Sequence, residues 1–168
     1  MAQIDLDGVK SAIKSILDAA NTTTASPVNL SNGLATDVQR VMKFDPNRIA
    51  PQPSWFPFVT VSLSDKDIEQ QTMGHTSSQI SALREGTLTF DIFAACYEPF
   101  FTDLNEDQGQ ENVEILMENM EEILRANVLL NSTVKYSVPT GVQYGDIPFD
   151  EETHLRAGIL TLECKVYY

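Results

Sequence analysis

The chain has 168 residues, 42% of them hydrophobic, and a formal net charge of −13 from 24 acidic and 11 basic side chains. That length suits one domain, and the apolar content is enough to bury a core, which excludes wholesale disorder. The negative surplus repels nucleic-acid phosphate, so direct DNA or RNA binding is disfavoured; the sign suits a basic protein partner, or a wall to which DNA should not stick.

The first residues, Met1-Ala2-Gln3-Ile4-Asp5, do not form a basic segment followed by an apolar run, so no signal peptide is expected. No stretch approaches the roughly 18 uninterrupted apolar residues of a membrane helix, and no membrane association is expected. Two cysteines, Cys96 and Cys164, do not make a disulfide framework, and a reducing, cytosolic place of synthesis is expected. Leu6, Val9, Ile13, Ile16, Leu17 and Ala20 then recur at spacings of three and four, which predicts an amphipathic helix. Asp5 and Asp7 suit its positive end, and Asn21 with a threonine run stops it.

Residues 21–56 are a long Pro-rich connection, with Asn32-Gly33 as a turn signal. Its island Leu34 to Phe44 fits a short helix or an extended strand equally well. Phe58 to Leu63 alternates Val59, Val61 and Leu63 with Thr60 and Ser62, the period of a strand. Residues 64–85 are polar and are expected to form a loop or a protruding hairpin arm. Thr87 to Tyr97 is the next strand, with Leu88, Phe90, Ile92, Ala94 and Cys96 on one face. Phe93 and Ala95 make the far end of the other face apolar, so that end is expected to be covered on both sides.

Gln110 to Asn127 carries Val113, Leu116, Met117, Met120, Ile123 and Leu124 on one helical face and Glu111, Glu114, Glu118, Glu121 and Glu122 opposite. Ser132 to Val138 is expected to start a strand that continues through an irregularity at 139–145. His154 to Tyr168 is a long strand with Gly158, Leu160, Leu162, Cys164 and Val166 on one side, Gly158 marking a close approach. The order helix, strand, strand, helix, strand, strand predicts one α+β domain spanning 1–168. Its sheet should be mainly antiparallel, of four strands or slightly more, with both helices on one face.

The acidic residues are unevenly distributed: eleven lie between Arg84 and Arg125, with no basic residue among them. Glu114 and Glu118 are a like-charge pair four apart, which opposes helix formation by roughly 0.2–0.5 kcal/mol. A solubilising face and a negative surface turned to a partner or a channel both account for this. Asp103, Asn105, Asp107, Glu111 and Glu114 occupy the first, third, fifth, ninth and twelfth places of a calcium loop. Gln108 stands where that loop needs glycine, and Pro99 lies where its incoming helix should be, so the residues read more simply as a polar approach to a helix N-terminus.

His75 and His154 have no second ligand at metal spacing, the cysteines fall on the helix-facing side of the sheet, and Asp91 has no nucleophile–base partner in sequence. No phosphate loop or dinucleotide fingerprint occurs. No catalytic, cofactor-binding or metal residue is therefore assigned, and an enzyme is not expected. Trp55-Phe56-Pro57-Phe58 and Pro99-Phe100-Phe101 read as core closure, or, if exposed, as interface anchors.

The arrangement resembles the tail terminator (tail-completion) proteins of tailed bacteriophages. The likeness rests on several segments in order. The N-terminal helix leads through the Pro-rich stretch into Phe56-Pro57-Phe58-Val59-Thr60-Val61. The polar arm leads through Arg84-Glu85-Gly86 into Thr87-Leu88-Thr89-Phe90-Asp91-Ile92-Phe93-Ala94-Ala95. A helix ends in Glu122-Ile123-Leu124-Arg125-Ala126-Asn127, and the close is Ala157-Gly158-Ile159-Leu160-Thr161-Leu162-Glu163-Cys164-Lys165-Val166-Tyr167. It covers nearly the whole chain, although the insert at 21–56 is longer than the family pattern. The resemblance implies a homohexameric ring in the virion, assembled in the host cytoplasm. Such a ring caps the tail tube, ends its polymerisation and joins tail to head. Its partners would be other copies of itself, the tail tube protein, a sheath where one exists, and neck or connector proteins. DNA would pass through its channel without specific binding. The rival expectations are another head–tail connector and, from a different class, a calcium-binding interaction module using 103–114.

Overall fold

The computed structural model describes residues 4–22, 28–45, 51–69, 85–99, 108–148 and 153–167. Helix α1 spans Leu6–Thr22 and buries Val9, Ile13, Ile16, Leu17 and Ala20 of the predicted stripe together with Ala12, while Leu6 is only partly buried. The Gly8 backbone N–H donates to Asp5 Oδ1 at 2.8 Å, so Asp5 satisfies one of the donors that the first turn leaves open.

The next described stretch, 28–45, is tied across both helices. The Asn21 amide donates to the Val38 carbonyl at 2.8 Å. The Ser31 hydroxyl donates to Asn21 Oδ1 at 2.6 Å and accepts the Val38 N–H at 2.8 Å. Helix α2, Gln108–Ala126, holds the same stretch through Asn119, whose amide donates to the Leu30 and Asn32 carbonyls at 3.1 and 2.8 Å. Leu30 is completely buried in the core beneath these bonds. Strand β1, Arg40–Met42, follows: the ambiguous island forms an extended strand, too short to show a period.

Four long strands complete the sheet: β2 (Phe58–Glu69), β3 (Glu85–Pro99), β4 (Tyr136–Pro148) and β5 (Thr153–Tyr167). The order is β1-β2-β3-β5-β4, antiparallel throughout except for the short parallel pairing of β1 with β2. This is the predicted α+β fold, with five strands. Strands β2 and β3 run past their apolar segments: Asp65 to Glu69 pairs with Thr89 to Glu85 across a register shift at Leu63/Asp65. The polar arm therefore begins as a hairpin stem; residues 70–84 lie outside the described residues.

The start of β4 differs from expectation. Ser132 belongs to a turn, because Leu130, Asn131 and Ser132 adopt left-handed conformations at φ 43°, 56° and 65°. Three such residues in succession cannot extend as a strand. Leu130 anchors the turn by complete burial, and pairing begins only at Tyr136. The expected irregularity is a register shift between Pro139 and Gly141, where proline's missing N–H is tolerated on an outer strand.

Both helices contribute to one core with a single face of the sheet: Leu88, Phe90, Ile92, Ala94 and Cys96 of β3 and Leu160, Leu162, Cys164 and Val166 of β5 lie beneath them. Gly158 explains the close approach of α2. A Cβ there would stand 2.4 Å from Met117 Cε, and Met117 is fully buried. Among the described residues no helix is long and apolar enough to cross a membrane.

Candidate functional site

Helix α2 has two working sides besides its buried stripe. On one, Asn112 and Asn119 bind the 28–45 stretch: Asn112 Oδ1 accepts the Ala35 N–H at 3.3 Å. On another lie Glu114, Glu118 and Glu121, at helical spacings of four and three, and they run beside Tyr144 of β4. Burial, and then the charges of Glu114, Glu118 and Glu121, raise the Tyr144 phenol above its ordinary value. Yet the Tyr144 residue remains 54% exposed. The two outer carboxylates have local partners. Glu114 accepts the Gln110 amide at 2.9 Å, and Arg125 donates to Glu121 at 2.6 Å. Arg125 offsets the charge of Glu121, while the Gln110 amide is neutral, so Glu114 and Glu118 keep the stripe negative.

Strand β4 forms the rim of the sheet beside this stripe. Among the described residues its strand partner is β5 alone. Gln143 to Ile147 are all exposed, as is Gly141. Sequence patterning missed this pairing of rim and stripe, because the two are brought together only by the β3-β5-β4 order. The sequence signal was Tyr144 set between Gly141 and Gly145.

The helix-free face of the sheet has an apolar end and a polar end. At the apolar end Phe56, Phe58, Phe93, Ala95, Leu155 and Ala157 pack together, with Trp55, Met42 and Ile159 at their margin. The Phe56 and Phe58 rings are 5.0 Å apart, and Phe58 and Phe93 are 5.9 Å apart. Arg40 stacks over Trp55 at 4.9 Å. The Trp55-Phe56-Pro57-Phe58 cluster is therefore core closure, as is the double-sided cover expected at Phe93 and Ala95. Thr60 is buried beside them, and its Oγ1 finds no hydrogen-bond partner. Toward the other end Thr87, Thr89, Asp91, Thr161, Glu163 and Lys165 alternate into solvent as a half-exposed polar surface.

The residues that could suggest catalysis do not converge. Asp91 pairs with Thr161 and His154 with Glu98, seven positions along β3, or roughly 23 Å at strand rise. His75 lies outside the described residues. Cys96 and Cys164 are buried, and burial pushes each thiol to about 12, with Glu163 adding to the effect at Cys164. Neither has the lowered pKa of a nucleophile. Of the calcium-loop residues, Glu111 and Glu114 are exposed on the first turns of α2; Asp103, Asn105 and Asp107 lie outside the described residues. Among the described residues no group of three or more His, Cys, Asp or Glu is placed to hold a metal ion.

No protein-family model matches the sequence, and no curated protein matches it significantly.

Proposed function

We propose that this chain is a structural subunit of a bacteriophage virion. In this reading it assembles into a homohexameric ring that caps the tail tube, ends its polymerisation and joins tail to head or neck. The observation that carries the reading is the one-sided construction of the sheet. Both helices pack on one face, while the polar end of the other face, the β4 rim and the β2–β3 hairpin stem are presented outward. This is the layer order implied by the resemblance to tail terminators, and it leaves surfaces for neighbours. The acidic surplus is consistent with it, because a negative ring wall repels phosphate and lets DNA slide past. The work is assembly, not catalysis, and no cofactor takes part.

Labelling the chain in intact particles tests the proposal. The label should sit at the head-proximal end of the tail tube, and particles made without the chain should carry tubes of uncontrolled length. A label confined to the neck above the tube would favour the head–tail connector reading. Absence from the particle would overturn both.

A further inference from the structure

Strand β4 carries two glycines, Gly141 beside the register shift that follows Pro139 and Gly145 within a regularly paired stretch. Gly141 and Gly145 lack the left-handed backbone seen at Gly33, and a Cβ built on either would meet nothing within 4 Å. A glycine inside a strand weakens it through added chain entropy and the loss of a packing side chain. A strand glycine marks a bulge or a place where another backbone approaches closely; the register shift accounts for Gly141, and Gly145 is left to an approach from outside the chain. Both glycines project to the helix-free side, opposite Thr161 and Ala157 of β5. Gly141 and 143–147 are exposed along the rim while Val142 packs inward, and in an antiparallel edge strand alternate N–H and C=O groups point away from the sheet. On the helix side of the same rim stand exposed Tyr144 and the carboxylates of Glu114, Glu118 and Glu121.

We infer that the outer edge of β4 over residues 141–147 accepts an extended segment of a basic partner protein as an added strand. Its alternate side chains would be Lys or Arg toward Tyr144 and the α2 carboxylates, and large apolar groups over Gly141 and Gly145. Strand addition supplies main-chain hydrogen bonds, and the two faces of the added strand supply specificity. Cross-strand aromatic or branched side chains cover edge glycines well. A second copy of this chain has the wrong sign for the helix side. Pairing two β4 edges would also bring two α2 carboxylate stripes together, and each chain already carries −13. Pro139 and Pro148, at the two ends of the free stretch, limit how far such pairing could spread. The inference goes beyond the ring reading and does not depend on it, because it concerns a different partner and a different surface.

The test uses the full chain and a synthetic seven-residue peptide alternating Arg with Val and Phe. Hydrogen exchange and calorimetry should show saturable binding with protection confined to 141–147. N-methylation of alternate peptide amides should abolish binding. The E114Q/E118Q variant should weaken it by roughly tenfold, as should Gly145→Val, which fills the space over the edge. Equal binding of a scrambled peptide that has lost the alternation would overturn the inference. So would protection elsewhere, or binding unchanged in both variants. Concentration-dependent protection of 141–147 without peptide would assign the edge to a second copy and overturn it as well.

Discussion

Thr60 and the two cysteines show how single residues report on the packing around them. Thr60 Oγ1 is buried without a hydrogen-bond partner, and a hydroxyl in that state costs about 1–3 kcal/mol of desolvation. Thr60→Val keeps the shape and removes the hydroxyl, so urea unfolding should show it stabilised by about 1 kcal/mol. Cys96 and Cys164 make the opposite kind of prediction, one about pH. Burial raises both thiols from the ordinary 9.0 to about 12. The folded chain therefore holds these protons more tightly than the unfolded chain. Their contribution is complete below pH 9 and is lost as pH rises toward 12. Denaturant titrations should show stability falling across that window. The C96A/C164A variant, although less stable at neutral pH, should show a shallower fall. Both thiols were legible in sequence as core residues, because each sits in an alternating apolar strand. Thr60 was legible only as the polar half of an alternation, since it stands opposite Phe93 near the covered end of a face that alternation marks as exposed.

At the scale of elements, long periodic segments were readable and short or polar ones were not. The stripe of α2 and the alternation of β3 and β5 predicted their buried faces residue by residue, and that of α1 did so except at Leu6 and Ala12, because each element packs through one continuous apolar side. β1 offered three residues, fewer than two periods of anything. The hairpin stem at 65–69 and 85–86 extends beyond the apolar part of its strands, so no apolar alternation marks it; backbone pairing alone defines it. The strand expected from Ser132 begins only at Tyr136, because the left-handed backbone at Leu130, Asn131 and Ser132 holds its approach in a turn. The acidity of α2 was visible in sequence, but its position beside Tyr144 was not. Each like-charge pair on that helix opposes it by roughly 0.2–0.5 kcal/mol. Glu118→Lys replaces repulsion of Glu114, Glu121 and Glu122 by attraction, so thermal unfolding should be unchanged or rise slightly. The same change removes a negative neighbour of Tyr144 and adds a positive one, which favours the phenolate. The Tyr144 phenol should therefore titrate at lower pH than in the unaltered chain, measurable by ultraviolet absorbance.

For the whole molecule, the layer order is consistent with the proposed role in assembly. A five-stranded sheet covered by helices on one face buries the apolar side chains of both helices and leaves the rest of its surface polar, aromatic at points, and negative. Those outward surfaces include exposed Tyr136, Val138 and Tyr167 near one end of the β4–β5 pair, with Lys135 stacked over Tyr167 at 4.4 Å. They also include exposed Val128 and Leu129 in the preceding turn. A chain that works by forming a ring needs outward apolar anchors of this kind on a highly charged exterior that prevents indiscriminate aggregation. The fold class was derivable from the order of periodic segments. How many copies join is set by the angle between neighbouring surfaces, which no pattern within one chain encodes. Sedimentation velocity combined with native mass spectrometry, over a concentration series at physiological salt, addresses this directly. The account predicts a closed species of six copies of the 18.7 kDa chain, increasingly populated as concentration rises. A monomer at every concentration and salt would contradict it.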